Sequence, residues 1–230
     1  MVPTKKNQAL ALLVGVFILW MIPTGGYSRI AANGSAGGYD NGDGVGEELS
    51  VMSTGNIIEM YVIEGAGYYL NAYAEILAFL NRVEESDLKG MDYSEAQQIL
   101  DRTLDHMSNA LRTYYLLIRR VEVTPYNPAV IAKLTEFDYA GFMEKWNLNS
   151  VVFNRVEEFL QKGDITGMYR YISSQFAAIT GILYAVNAEI SLGRMPPLSV
   201  LWKLNECCSQ TMLFSQYVSR IFYAVLERPI

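Results

Sequence analysis

Few residues in this chain are equipped for covalent or acid–base chemistry, and their spacing limits what they can do. His106 is the single histidine among 230 residues. It lies on the side of a helical stretch away from Leu104 and Leu111, and its neighbour Asp105 does not face it, because adjacent helical residues point about 100° apart. Arg102, one turn earlier, opposes its protonation. A solvated surface histidine is expected, which leaves a histidine-based triad or dyad without partners. The Glu-x-x-His pairs of dimetal helical proteins cannot be written here, the C-x-x-C-H haem attachment is absent, and there is no P-loop, dinucleotide fingerprint or nucleophile elbow. The residues therefore point to a protein that is not an enzyme and holds no cofactor or metal.

The only cysteines, Cys207 and Cys208, are adjacent, so a bridge between them would close a strained small ring. Cys207 is expected on an apolar stripe and Cys208 on its flank, both as inert thiols. Glu64 and Glu75 share one side of a helix but stand about three turns apart, too far to flank a single glycosidic bond. Asp40, Asn41, Asp43 and Glu47 lie among glycines without the alternating spacing of a calcium loop. Arg112, Arg119 and Arg120 beside Tyr114 and Tyr115 make a small basic end, suited to a carboxylate or headgroup or simply to a helix C-terminus.

Tyrosine is the unusual feature, with 16 in the chain. Tyr61, Tyr68, Tyr69 and Tyr73 form a run, and Tyr69, Tyr114 and Tyr169 fall on apolar stripes. A buried phenol needs a hydrogen-bond partner, and Asn187 and Asn205 beside core stripes are the candidates. These five residues either satisfy one another in a dense core or line a pocket for a small ligand.

The elements that must position these groups are helices. From Ile165 to Leu192 the only charges are Arg170 and Glu189. Ile165, Tyr169, Ile172, Phe176, Ile179, Leu183, Val186 and Ile190 alternate steps of four and three, the signature of one buried helix face. The opposite face carries Ser174, Ala178, Gly181 and Ala185, small residues that admit a second backbone, so this helix is expected to be packed on both sides and to form a docking face. A helix from Ser53 to Glu85 shows the stripe Ile58, Val62, Gly65, Tyr69, Ala72, Ile76, Phe79 and Val83, with Glu64, Asn71, Glu75 and Arg82 toward water. Asp92 with Glu95 reads as a capping box opening a second helix to Val123. Thr124 to Pro128 breaks it. Short helices at 129–136, 138–146 and 150–161 read as a crossover, Asp164 caps the long apolar helix, and Pro196 and Pro197 open a last one lined by Val200, Leu204, Cys207, Thr211, Phe214, Val218, Ile221 and Val225.

The fold class expected is all-α: four long antiparallel helices in a bundle, with a short-helix crossover between the second and third. Residues 1–26 read as a signal peptide or membrane anchor, because Lys5 and Lys6 precede the apolar run Ala9 to Pro23. Residues 27–46 read as a glycine-rich flexible linker, and 47–230 as the helical domain. Hydrophobic residues make up 51% and charged residues only 18%, and the net charge of −6 disfavours nucleic acid. The function expected is that of an exported protein, in the periplasm or at the cell surface, working through contact with a protein partner or a second copy. The alternative is a sensor-like bundle with a Tyr- and Asn-lined pocket. The N-terminal segment would serve either as a membrane tether. The run Tyr171 to Ala188 also raises an integral membrane reading, against which Ser173, Ser174, Gln175 and Asn187 count.

Overall fold

Seven helices follow one another in the computed structural model, which describes residues 54–85, 92–124 and 126–225. The leader, the linker and the acidic glycine-rich stretch at 40–47 lie outside the described residues. The helices are α1 (Thr54–Glu85), α2 (Tyr93–Val123), α3 (Pro128–Thr135), α4 (Tyr139–Trp146), α5 (Ser150–Leu160), α6 (Ile165–Ser191) and α7 (Leu198–Val225). The described residues form no strand.

Local chemistry sets the boundaries. The Asp92 carboxylate accepts from the backbone N–H groups of Ser94 at 2.9 Å and Glu95 at 3.2 Å, satisfying donors left over at the start of α2. The Glu95 side chain pairs across to Arg82 at 2.7 Å, where the sequence suggested a return bond to the cap. Asn127, Asp138, Asn149 and Asp164 cap α3 to α6 in the same way, and Pro128 occupies the first turn of α3, where a missing N–H costs little. Gly163 (φ 65°) and Gly193 (φ 64°) supply the left-handed residues that turn the chain before and after α6.

Side-chain pairs fix the directions of the long helices. Arg82 meets Glu95 and Glu75 meets Arg102, so position advances along α1 as it recedes along α2. Gln97 meets Asn187 at one end of α2 and Tyr114 meets Phe176 farther along, which makes α6 antiparallel to α2. Tyr171 against Phe214 and the tight turn at 192–197 pair α6 with α7. Tyr69 of α1 donates to the backbone carbonyl of Cys208 in α7 at 2.8 Å.

The core follows the sequence stripes closely on α1 and α6. All eight predicted α6 residues are buried, as are seven of the eight on α1, Val62 being half-buried. Removing each such Val, Leu, Ile or Phe side chain from water contributes about 1.5–3 kcal/mol. Buried Thr103, Thr180 and Thr211 donate to carbonyls one turn back in their own helices, so none leaves an unmet hydroxyl. The crossover has its own aromatic centre: Phe142 lies 5.3 Å from Phe137 and 6.3 Å from Phe153, whose ring reaches Tyr217 of α7. Tyr217 in turn accepts from the Asn149 N–H at 2.9 Å, tying the cap of α5 to α7.

One expectation is overturned. The face of α6 bearing Ser174, Ala178, Gly181 and Ala185 is exposed, and a Cβ placed on Gly181 would meet nothing within 4 Å. Among the described residues, only the apolar face of α6 is covered by its neighbours. Small side chains permit a close neighbour but do not require one.

Candidate functional site

Tyr69 and Tyr114 converge on Phe176, and Tyr169 joins them through Tyr114. The Tyr69 ring stacks on Phe176 with centroids 4.6 Å apart, Tyr114 meets it edge-on at 4.9 Å, and Tyr169 meets Tyr114 at 6.2 Å. Gly65 makes this possible, since a Cβ there would stand 2.7 Å from the Tyr114 ring. Burial pushes all three phenols above their ordinary titration range, so they are neutral donors at physiological pH.

The asparagines are not where the sequence suggested. Asn205 is exposed on α7. Asn187 stands about three turns from Phe176 along α6, and there it accepts from Gln97 at 2.6 Å and donates to Asp101 at 3.4 Å, while Ser191 donates to Gln97 at 2.9 Å. This polar cluster latches α2 to α6 and does not reach the tyrosines. Tyr69 is satisfied instead by the Cys208 carbonyl, whose second lone pair remains available after the helical bond. Tyr169 has Tyr126 as its hydrogen-bonding neighbour. The three rings therefore form a packed aromatic centre without the two amides.

The cysteines are reversed relative to the predicted stripe. Cys208 is buried and Cys207 half-buried, because the inner face of α7 runs through Leu201, Leu204 and Cys208, one position on from Val200 and Cys207. Burial pushes the Cys208 thiol up to about 12, which keeps it protonated and unreactive. Treatment of the folded protein with a thiol reagent at pH 8 should modify Cys207 well before Cys208, with the second equivalent appearing only in denaturant. Peptide mapping by mass spectrometry distinguishes the two, and equal labelling of both in the folded state would contradict this packing.

His106 is half-buried, somewhat less open than expected. Glu75 is committed to Arg102 through two bonds of 3.0 and 3.1 Å, and Glu64 accepts from Tyr68 at 3.4 Å. No group of three or more His, Cys, Asp or Glu side chains among the described residues could hold a metal ion. No described helix is long and apolar enough to cross a membrane, the Tyr171–Ala188 run included.

Two surface features remain. One is the open face of α6, which between Tyr171 and Ala188 presents Ser174, Ala177, Ala178, Gly181, Tyr184 and Ala185 without a charge, Tyr184 being 58% exposed. The other is a shallow depression of about 350 Å³ at the Thr54 end of the fold, lined by Ile57, Tyr61, Leu116, Arg119, Arg120 and Val123. No protein-family model, curated protein or solved structure matches the chain.

Proposed function

We propose that this is an exported helical-bundle protein that acts by binding another protein or a second copy of itself through the open face of α6, without catalysing a reaction. The four long helices would make the bundle, with the Tyr69 to Cys208 hydrogen bond joining the first to the last. The leader at 1–26 would deliver the domain to the periplasm or cell surface, and the stretch at 27–46 would tether it wherever the leader is retained.

One observation carries the reading. A helix face left to water normally shows charged residues, yet the exposed side of α6 shows none over about five turns and offers small residues on which another backbone could lie flat. The sensor alternative is less well supported, because Asn187 and Asn205 lie away from the tyrosines that were to share a pocket with them.

Gly181→Leu tests the proposal cleanly, since the open space at this position lets the variant keep its fold. The full chain is expected to show a multimeric mass by light scattering, or to retain a partner on affinity capture. The variant should lose that association with an unchanged melting temperature. Identical association in parent and variant, or none in the parent, would reject the docking face.

A further inference from the structure

The depression at the Thr54 end joins the first turns of α1 to the last turns of α2. Arg112, Leu116, Arg119, Arg120 and Val123 recur at helical spacing on one stripe of α2, and Ile57 and Tyr61 face them from α1. Two guanidinium groups line the depression, and no carboxylate among the described residues does. Arg119 reaches Glu122 only at 3.8 Å, and Glu122 is engaged more closely by Arg170. Arg120 pairs with no carboxylate among the described residues, and its Nε is buried without an acceptor. The two guanidinium groups together make the depression favourable for an oxyanion.

The rim adds a second requirement. Leu116 is 41% exposed and Val123 79%, so apolar side chains stand in water beside the two arginines. Arginine interleaved with exposed apolar side chains suits the boundary between lipid headgroups and acyl chains.

We propose that this depression and its rim dock the domain onto an anionic phospholipid bilayer, with Arg119 and Arg120 donating to lipid phosphate oxygens while Leu116 and Val123 enter the headgroup layer. The surface is separate from the open face of α6 and does not depend on it. Two arginines near an anionic surface should change affinity by about tenfold or more at moderate salt.

The test compares the full chain with the Arg119→Gln/Arg120→Gln double variant on two vesicle types, phosphatidylcholine alone and equal parts phosphatidylcholine and phosphatidylglycerol. Any contribution of the apolar N-terminal run is common to both proteins. The parent should prefer the anionic vesicles, the double variant should lose at least about tenfold in affinity for them, and both should bind the neutral vesicles equally. Arg119→Lys/Arg120→Lys should retain most of the preference, and raised salt should erase it. Circular dichroism and melting of each variant confirm the fold, and Val123→Ser at its open position should weaken vesicle binding without a folding penalty. The proposal is overturned if parent and Gln variant bind anionic vesicles alike. It is also overturned if soluble glycerol phosphate displaces the vesicles, which would make this a small-anion site, or if the variant's only change is in self-association.

Discussion

Phe176→Ala should lower the unfolding free energy by about 3–5 kcal/mol, measured by denaturant titration of the full chain. The phenyl ring is 1% exposed and is held by Tyr69 at 4.6 Å and Tyr114 at 4.9 Å. Its removal forfeits the transfer free energy of the ring and leaves a cavity whose walls cannot close readily. Tyr69 is pinned by its bond to Cys208, and Tyr114 is wedged between α1 and Tyr169. Domains of this size are stable by only about 5–15 kcal/mol, so the loss would consume a large share of the total. A midpoint that barely moves would mean the aromatic centre is not packed as described.

Gly65→Leu is expected to be nearly as damaging, for the opposite reason. A Cβ at this position would lie 2.7 Å from Cδ2 and Cε2 of Tyr114 and 3.4 Å from the Thr113 methyl. The Tyr114 ring has no free direction, because Phe176 and Tyr169 stand behind it. Overpacking typically costs about 1–3 kcal/mol, and leucine adds further carbons beyond the clash. Its better helix propensity returns somewhat under 1 kcal/mol. A net loss of about 2–3 kcal/mol should appear in thermal melts. Gly67→Ala is the matched control two residues away: nothing lies within 4 Å of its Cβ, so this variant should be neutral or slightly stabilised. Equal effects at the two glycines would remove close α1–α2 contact as the explanation.

These residues also mark how far the sequence could be read. Helical periodicity identified the covered faces of α1 and α6 because every apolar side chain there has to leave water together. Capping residues located most helix starts to within a residue or two. What failed were statements needing a third dimension. On α7 Leu204, Thr211, Phe214, Ile221 and Val225 face inward as their spacing indicates, but Leu201 and Cys208 are buried where Val200 and Cys207 are expected, which exchanges the environments of the two cysteines. Asn187 borders the stripe that carries Tyr169, but its height along α6 places it beside Gln97. The exposure of the small-residue face of α6 is not legible in sequence, because a run of small uncharged residues looks the same whether or not a neighbour is present. Arg119 and Arg120 were visible as a basic end, but the depression they share with Ile57 and Tyr61 exists only once α1 lies against α2.

The hydrogen bond between Tyr69 and Cys208 spans 139 positions, whereas α1 with α2 and α6 with α7 meet across short turns. Closing a long loop costs more entropy than closing a short one, so the two hairpins can assemble early and independently. The seam between the first and last long helices is then the final joint to close during refolding. By the same logic it is the first to part when the native state fluctuates, and amide protons of α1 and α7 along that seam should exchange sooner than those on the facing sides of α2 and α6.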